Sequence, residues 1–332
     1  MPKYDVITVG SATVDVFVET NDEDVIDIKS RHSESVYTCF ELGSKILINR
    51  LEFTTGGGGT NTAVSFARLG FRTAYLGNIG KDLNGDKILR MLKKNRIAFA
   101  GTQSEHKTDY SIILDSIRKD RTILTYRDAS CYLLPSKINT ASLDAEFFYF
   151  SSLVGKSFDC TRYVMELAKK RGAKTAFNPS LYEVKFGRKK LAPLLVMTDV
   201  LIFNKEEAME LLGLHERPKT EDMLEQVRAL GPKVVIITDG PRGACCSDGI
   251  YHYTMIPLKV KIVETTGAGD AFASAFVAGL MKKHDIEFCM RLGTANAQSV
   301  IQHYGAKDTL LSWKNAVRET KFHRAKFSKH KI

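Results

Sequence analysis

The sequence predicts an α/β fold, with a doubly wound, mostly parallel β-sheet flanked by helices and a small β-sheet lid. Apolar strand-like runs alternate with helical segments along most of the chain, which is the pattern of repeated strand, helix and strand units. The runs are short and continuously apolar, as in Tyr4 to Gly10, and this is typical of strands buried on both faces of a parallel sheet. Two strand-rich blocks interrupt the alternation and indicate a second, smaller sheet.

The two blocks predict the lid. The first follows Asp15, is polar from Thr20 to Ser35, and up to Phe53 is neither cleanly helical nor a central strand. A turn at Arg118, Lys119 and Asp120 divides the second. The strand-like segments are Val36 to Phe40, Lys45 to Phe53, Tyr110 to Leu114 and Thr122 to Tyr126. We assign residues 15–53 and 99–127 to the lid, and residues 1–14, 54–98 and 128–332 to the main domain.

The other elements alternate as a doubly wound sheet requires. The predicted strands are Arg72 to Gly77, Glu146 to Ser151, Lys174 to Asn178, Asp199 to Phe203 and Lys233 to Thr238, followed by a hairpin at Ser247 to Gly249. The predicted helices are Gly56 to Gly70 (after a glycine loop), Asn84 to Asn95, Asp159 to Arg171, Arg188 to Met197, Lys205 to Leu212, Thr220 to Leu230, one beginning near Asp270, and Glu287 to Gln302. Ligands bind beyond the carboxyl ends of parallel strands. We therefore expect one rim to carry the residues that end predicted strands, namely Gly10, Asn178, Asn204 and Thr238.

Composition indicates an ordinary globular protein. The chain has 332 residues, of which 44% are hydrophobic and 26% charged, enough for one large α/β domain with an accessory element. No apolar run is long enough to span a membrane and no signal-peptide pattern follows Met1, so we expect a cytoplasmic protein without a membrane partner. The six cysteines have no metal-type spacing and are expected to be reduced thiols, several of them buried.

The net charge of +10 is partly concentrated between Lys314 and Lys331. Such a tail could be a nucleic-acid-binding arm or a solvated terminal helix with a frayed end. No nucleic-acid-binding signature accompanies it, so the solvated helix is the preferred interpretation and a nucleic-acid partner is not expected.

The stretch from Val263 to Phe272 predicts an anion site. Gly267, Ala268 and Gly269 leave backbone N–H groups open at the start of a helix, where the helix dipole adds positive potential. Asp270 lies in the first turn, where we expect its charged form to be stabilised, and it could accept a proton from an attacking hydroxyl. The alternative is a capped helix start with no ligand.

A second glycine run, from Gly56 to Gly59, precedes Asn61. Such a run allows a ligand to approach the backbone closely, and the Asn61 amide has one acceptor and two donors that suit a sugar hydroxyl. A flexible loop is the alternative interpretation.

Both stretches resemble the signatures of the PfkB family, the ribokinase-like carbohydrate and nucleoside kinases. Residues 264–270 resemble its D-T-x-G-A-G-D signature, with Glu264 in place of the first Asp, and residues 56–70 resemble G-G-x-x-x-N followed by a helix ending in R-L-G. The resemblance implies an ATP-dependent kinase that transfers the γ-phosphate to a sugar hydroxymethyl group, with Asp270 as base. It also implies that the acceptor contacts Asp15, Gly56, Gly57 and Asn61.

The resemblance extends to nucleotide and metal sites. Asn204 and Glu207 match N-x-x-E, which in the family helps to hold Mg²⁺ through water. The nucleotide loop T-x-G-x-x-G is matched by Thr238, Gly240 and Gly243, and Asn296 would line the adenine and ribose pocket with them.

Two further features of some relatives could apply. A monovalent cation lies behind the anion site in some of them, and Glu264, Thr266, Gly305 and Ala306 stand at comparable positions, so K⁺ is a candidate ligand. In others the lids of two subunits clasp each other, which would give a homodimer through the lid.

The sequence does not decide whether the acceptor is a free sugar, a nucleoside or a phosphosugar. A phosphosugar would suit a clamp of basic lid residues, namely Arg118, Lys119, Arg121 and Arg127. A catalytically silent protein that binds a nucleotide or a partner is the alternative from another class. A dinucleotide oxidoreductase is excluded because Gly10 to Thr13 lacks the G-x-G-x-x-G fingerprint.

Overall fold

The computed structural model describes residues 1–20, 24–29, 34–115, 121–216, 218–322 and 325–332. Its strands are β1 (Tyr4–Val9), β2 (Thr13–Glu19), β3 (Asp24–Lys29), β4 (Glu34–Cys39), β5 (Arg50–Gly56), β6 (Thr73–Leu76), β7 (Asn78–Gly80), β8 (Ala98–Phe99), β9 (Thr102–Ser104), β10 (Asp109–Asp115), β11 (Arg121–Tyr126), β12 (Ala145–Ser151), β13 (Lys174–Asn178), β14 (Val200–Asn204), β15 (Val234–Thr238), β16 (Ala244–Ser247), β17 (Tyr251–Ile256) and β18 (Lys326–Lys331). Its helices are α1 (Gly58–Arg68), α2 (Leu83–Lys94), α3 (Ser157–Lys170), α4 (Leu181–Val184), α5 (Arg188–Val196), α6 (Lys205–Leu212), α7 (Thr220–Arg228), α8 (Ala268–Met281), α9 (Ile286–Ile301) and α10 (Trp313–Phe322).

The main sheet is mostly parallel, as predicted. Its ten strands follow the order β18-β17-β16-β15-β14-β13-β12-β1-β6-β8. The strands from β15 to β8 in this order are parallel, whereas β16, β17 and β18 run antiparallel to their neighbours. Because parallel strands end at one edge, Gly10, Asn178, Asn204 and Thr238 lie on the same rim.

Alternating residues of the central strands form a core on each face of this sheet. In β12, Phe148 and Phe150 belong to one core, whereas Phe147 and Tyr149 belong to the other. The first core includes residues of α3, α5, α6 and α7, and the second includes residues of α1, α8 and α9. Helices therefore cover both faces, which is why the central strands are apolar at almost every position.

The lid is a separate four-stranded sheet of order β11-β10-β2-β5, and β3 and β4 form a two-stranded sheet of their own. The interpretation that no central strand follows Asp15 is wrong, because Asp15 lies in β2 between β10 and β5. Polar Asp24–Lys29 also forms a strand, β3. The β10 partner of β2 is distant in sequence, and β3 is too polar to read as a strand, so local pattern did not mark either of them. The predicted turn at Arg118 and Lys119 lies outside the described residues, and the lid boundaries stay a prediction.

The basic tail forms part of the main sheet. The prediction of a solvated helix with a frayed end is wrong for the last residues, because β18 pairs with β17 along its whole length. The Phe327 ring packs on Tyr253, with ring centroids 6.2 Å apart, and the Lys329 ammonium lies 3.8 Å from the Tyr251 ring centroid. Lysines are well suited to an exposed edge strand because they oppose pairing with another chain.

All six cysteines are free thiols, and Cys160, Cys245, Cys246 and Cys289 are buried. No helix among the described residues is long and apolar enough to cross a membrane.

Candidate active site

The N-terminus of α8 forms an open turn at the predicted anion site, which we call the cradle and which consists of Gly267, Ala268, Gly269 and Asp270. Gly267 has φ +81°, and a Cβ there would lie 2.4 Å from the Ala306 Cβ, so the turn requires glycine. A Cβ at Gly269 would meet no atom within 4 Å. The backbone of the cradle therefore packs against the protein on one side and faces free space on the other.

Asp270 joins the two signature stretches. Its Oδ2 accepts a hydrogen bond of 2.8 Å from the Asn61 Nδ2 on α1. The Asn61 Oδ1 is buried and has no hydrogen-bond partner. Buried carbonyl oxygens are rarely left unpaired, so this atom keeps an unused capacity to accept a hydrogen bond.

The expectation that the start of α8 stabilises the charged form of Asp270 is wrong, because the net change in the pKa of this carboxyl is upward. Burial raises the pKa of Asp270 and the nearby Asp15 raises it further, whereas the Asn61 hydrogen bond and the Lys307 ammonium lower it without cancelling the rise. Desolvation by the packed surroundings therefore outweighs the two interactions that favour the charged form. A carboxylate with a raised pKa is a stronger proton acceptor, which suits a general base.

Asp15 lies in β2 beside the glycine run. Its Oδ1 accepts a hydrogen bond of 2.6 Å from Thr13. A Cβ at Gly56 would lie 1.8 Å from the Asp15 Oδ2, and Gly57 has φ +93° with its Cβ position 2.5 Å from the Ser11 carbonyl oxygen. Gly56 is therefore required for packing against β2 and Gly57 for packing against the segment that precedes it, and their contact with an acceptor stays a prediction.

Lys307 is a site residue that the sequence analysis missed. Its side chain is 7% exposed, and its Nζ donates a hydrogen bond of 2.5 Å to the Thr55 carbonyl oxygen. Burial lowers the pKa of Lys307 to about 8, although Asp15, Asp270 and Asp308 each raise it. The only sequence signal was its position directly after Gly305 and Ala306, and nothing in a lysine's local sequence shows that it is buried.

Ser151 was also missed. Its hydroxyl oxygen, at the carboxyl end of β12, is buried without a hydrogen-bond partner. A Cβ at Gly58 would lie 3.1 Å from this oxygen and 3.6 Å from the Asp270 Oδ1. The atom is therefore a further polar group beside the glycine run.

A cavity of about 450 Å³ opens beside the cradle. Its lining includes the cradle residues Ala268 and Gly269, and also Thr238, Gly240 and Gly243 of the predicted nucleotide loop. The walls are mostly apolar and include Pro257, Leu258, Val260, Ile262, Phe272 and Ile301. Such walls suit the flat, apolar faces of a nucleotide base.

The prediction that Asn296 lines this pocket is wrong. Asn296 is 0% exposed, its Nδ2 donates hydrogen bonds to Ala271 and Ser65, and its Oδ1 accepts one from the Leu311 N–H. The residues of α9 that line the cavity are instead Thr294, Ala297, Gln298 and Ile301. Asn296 thus faces α1 and α8, where it joins three segments of the protein.

Asn204 and Glu207 form a capping box at the start of α6. The Asn204 Oδ1 accepts a hydrogen bond from the Glu207 N–H at 2.8 Å, and the Glu207 Oε2 accepts one from the Asn204 N–H at 2.9 Å. Burial raises the pKa of Glu207 to about 7, and the negative charges of Glu206 and Asp270 contribute to the rise. Among the described residues, no group of three or more Asp, Glu, His or Cys side chains could hold a metal ion by itself.

Glu264 links the loop before the cradle to the lid. Its Oε1 accepts hydrogen bonds from the N–H groups of Thr265 and Thr266 and from the Thr266 hydroxyl, at 2.7 to 2.8 Å. The guanidinium of Arg121, at the start of lid strand β11, forms an ion pair with the same oxygen. The Glu264 side chain is 4% exposed, so this ion pair is largely shielded from water.

Comparison with known proteins identifies the family. The model of the pfkB family carbohydrate kinases matches residues 17–313. The chain belongs to this family. This pfkB-family protein is therefore a kinase, a phosphotransferase with an alcohol group as acceptor, as the sequence predicted.

Relatives of this pfkB-family kinase are named for different acceptors. An ATP-dependent 6-phosphofructokinase from Thermoanaerobacterium thermosaccharolyticum is 24% identical over 313 residues, which are 92% of this chain and 90% of that protein. A ribokinase from Staphylococcus aureus is 26% identical over 92% of this chain and 96% of its own length. The structure of Arabidopsis thaliana ribokinase complexed with ribose and ATP is similar with a TM-score of 0.78, at 21% identity, over 96% of this chain and 99% of that chain. The ribokinase-like fold is therefore confirmed.

Proposed function

We propose that this protein is an ATP-dependent sugar kinase that transfers the γ-phosphate to a hydroxymethyl group, with Asp270 as the general base. One observation supports this above all. The Asp270 carboxylate is held by Asn61 at the mouth of an open anion cradle, and an unpartnered Asn61 oxygen lies beside it. A nucleophile, its base and the transferred group can therefore meet at one point, which phosphoryl transfer requires.

The nucleotide would occupy the 450 Å³ cavity, with its base between the apolar walls and its phosphates on the cradle. The N–H groups of Ala268 and Gly269 would donate hydrogen bonds to the transferred group. By analogy with oxyanion holes, each such donor is worth about 3 kcal/mol.

The acceptor would be held by side chains on the other side of the cradle. Asp15 would accept hydrogen bonds from its hydroxyls, and the Asn61 Oδ1 would accept another, satisfying a buried atom that has no partner in the protein. The attacking hydroxyl would transfer its proton to the Asp270 carboxylate as its oxygen bonds to phosphorus.

We propose that Asn204 and Glu207 hold Mg²⁺ through water. Their oxygens are hard ligands, and the raised pKa of Glu207, with a value of about 7, reflects negative charge from Glu206 and Asp270 as well as burial. A divalent cation would relieve this repulsion, so the residues fit the ion. When bound, Mg²⁺ would neutralise charge on the phosphates.

We also propose K⁺ as a ligand of the turn behind the cradle. The Thr309 hydroxyl oxygen, close to Gly305 and Ala306, is buried without a partner. The Glu264 carboxylate already pairs with Arg121, so the ion would bind mainly neutral oxygens. We expect faster turnover in potassium than in choline salts, and equal turnover would exclude this proposal.

The phosphosugar alternative receives limited support from the lid. Of its four proposed clamp residues, Arg118 and Lys119 lie outside the described residues, and Arg121 pairs with Glu264. Arg127 stacks over the Tyr182 ring at 4.6 Å. Because one relative is named as a 6-phosphofructokinase, phosphosugars are included among the acceptors to be tested, and nucleosides are included as well.

Turnover assays with Mg²⁺-ATP and a panel of sugars, phosphosugars and nucleosides test the function. We expect one acceptor class to be phosphorylated, and Asp270→Asn to bind ATP while losing most turnover. Asp86→Asn, at an exposed position in α2, is the matched control and should behave as wild type. ATP binding without phosphorylation of any acceptor would favour the silent nucleotide-binding protein, and normal turnover of Asp270→Asn would remove Asp270 from the base role.

We propose that two copies of the protein pair through the lid. Phe53 and Leu124 lie in one cross-strand row with Val16 and Ile112, and both are about half exposed. Leu51 and Tyr126 extend this apolar surface. Light scattering of Phe53→Glu should show a monomer where the wild type is a dimer, with Ile332→Glu as a control at a distant exposed site. A monomeric wild type would contradict the proposal.

We further propose that the protein works in the cytoplasm. Its six cysteines are free thiols although two of them, Cys39 and Cys131, are partly exposed, which suits a reducing compartment. Imaging of the fluorescently tagged protein in its own cell would test this.

A further inference from the structure

Besides the cradle and the predicted nucleotide loop, two segments supply most of the lining of the cavity. One is α9, whose lining residues recur at helical spacing and so share one face of the helix, namely Thr294, Ala297, Gln298 and Ile301. The other is residues 257–262, which follow β17 and contribute Pro257, Leu258, Lys259, Val260 and Ile262. We call these nine residues the base pocket.

The base pocket holds three polar side chains, and each is either bonded within the protein or exposed to solvent. The Thr294 hydroxyl donates a hydrogen bond of 2.8 Å to the Met290 carbonyl oxygen in α9. The Gln298 Nε2 donates one of 2.7 Å to the Leu258 carbonyl oxygen, which joins the two segments. Lys259 is exposed, so its ammonium can stay in water. The other six side chains are apolar and suit the faces of a base.

The faces and the edge of a purine carry different information. Adenine, hypoxanthine and guanine have similar flat faces, whereas their edges differ in hydrogen-bond donors and acceptors. A site that bonds to such a group rejects an analogue without it by about 10⁴- to 10⁵-fold, but an apolar pocket discriminates by only about 10- to 200-fold. A pocket of apolar side chains therefore selects a base by the surface that it buries.

We propose that the protein accepts purine nucleoside triphosphates in general as phosphate donors, with an affinity that follows the apolar area of the base rather than the chemistry of its edge. This inference rests on the proposed function. The transfer is the same for each donor. The acceptor oxygen bonds to the γ-phosphorus, the bond from phosphorus to the β,γ-bridging oxygen breaks, the hydroxyl proton passes to Asp270, and the nucleoside diphosphate leaves.

Steady-state kinetics with Mg²⁺ and ATP, ITP, GTP or CTP test the proposal. We expect kcat/KM values for the three purine donors within about tenfold of one another, because their faces bury similar areas. CTP should be a poorer donor, since its single ring buries less surface. A preference for ATP over ITP larger than tenfold would overturn the proposal, because it would show that a polar group reads the base edge. Equal use of CTP and ATP would overturn it as well.

Two variants examine the polar side chains that could read the edge. Lys259→Met should leave the ratio of kcat/KM for ATP to that for GTP unchanged, with Lys189→Met, which removes an exposed charge from α5, as the matched control. Gln298→Leu should raise KM for ATP and ITP by the same factor, about two- to tenfold, because it only releases Leu258. A changed ratio in either variant would show that the side chain contacts the base edge and would overturn the proposal.

Calorimetry of ADP, IDP and CDP binding to the wild-type protein needs neither turnover nor an acceptor. The dissociation constants of ADP and IDP should agree within about tenfold, and CDP should bind more weakly. Binding of ADP alone would overturn the inference even if the kinase is active. Absence of turnover with every donor, together with similar binding of ADP and IDP, would contradict the proposed function and support this description of the base pocket.

Discussion

At the scale of single residues, the candidate site depends on polar atoms that lack partners within the protein. The Asn61 Oδ1 and the Ser151 Oγ are buried and unpaired, and both lie near the Asp270 carboxylate. Leaving such an atom unpaired costs about 1–3 kcal/mol, so a ligand that satisfies it gains affinity. These atoms therefore point to a polar ligand at this place more strongly than the shape of the pocket does.

Two glycines of the cradle should respond differently to substitution by alanine. Gly267→Ala should lower the melting temperature, because φ is +81° and the new Cβ would collide with Ala306. Gly269→Ala should keep or raise it, since the Cβ meets nothing and alanine favours a helix by up to about 1 kcal/mol.

The same Gly269→Ala should reduce kcat by about a hundredfold, the usual cost of displacing a bound group by about 1 Å. Thermal unfolding and steady-state kinetics of both variants would check these expectations. A Gly269→Ala protein with wild-type kcat would show that the transferred group does not lie on the cradle.

At the scale of elements, the ion pair of Arg121 and Glu264 connects the lid to the cradle. Glu264 orders the loop before α8 through three hydrogen bonds, and Arg121 at the start of β11 neutralises it. One carboxylate thus contacts both the lid and the loop that precedes the cradle, and we expect it to couple the position of the lid to the geometry of the cradle. Lid closure in kinases excludes water that would otherwise compete with the acceptor.

Arg121→Ala should therefore weaken catalysis without unfolding the protein. Hydrogen bonds to charged groups are worth about 1.5–3 kcal/mol, so kcat/KM for the acceptor should fall by about ten- to a hundredfold. Adding guanidinium ions at millimolar concentration should restore part of it. Arg162→Ala, which breaks the exposed ion pair with Glu166 on α3, is the control.

A double-mutant cycle with Glu264→Gln adds a second criterion. Because both residues form one interaction, the kcat/KM of the double variant should be no lower than that of the less active single variant. Additive losses would contradict the coupling between the lid and the cradle.

At the scale of the whole molecule, Glu183 should make stability depend on pH. It is fully buried, its Oε2 has no partner, and its Oε1 accepts a hydrogen bond from the Leu153 N–H at 3.1 Å. Burial raises its pKa from 4.5 to about 8, although hydrogen bonds from Leu153, Ser152 and Ser180 lower it. The folded state therefore holds this proton more tightly than the unfolded chain does.

A carboxyl group with a raised pKa stabilises the fold below its unfolded pKa, and this contribution is lost as pH rises through the folded value. The melting temperature should thus fall between about pH 4.5 and pH 8, and Glu183→Gln should flatten this part of the profile. Glu210→Gln, at an exposed position in α6, should leave the profile unchanged. A Glu183→Gln profile that parallels the wild type would contradict this assignment.

The local sequence pattern was sufficient to predict most strands and helices of the main domain. Strands such as β12 and β14 are short apolar runs, and helices such as α2 and α6 have caps or periodic faces that can be read without knowing their neighbours. Elements defined by distant partners were not predicted in this way. The strand β2 pairs with β10, where Thr13 lies opposite Asp109, and with β5, where Thr13 lies opposite Gly56. The strand β18 closes an edge of the main sheet from the basic tail.

The sequence by itself determined the α/β class, the kinase family and the two signature stretches, because glycine turns, helix starts and apolar periodicity are properties of neighbouring residues. Only the tertiary structure decided which side chains meet. It brought Asn61 to Asp270, buried Lys307 against the Thr55 carbonyl oxygen, and turned Asn296 away from the nucleotide cavity. Burial and charge at a site come from segments far apart in the chain, and for this reason the direction of the Asp270 pKa could not be read from its own helix.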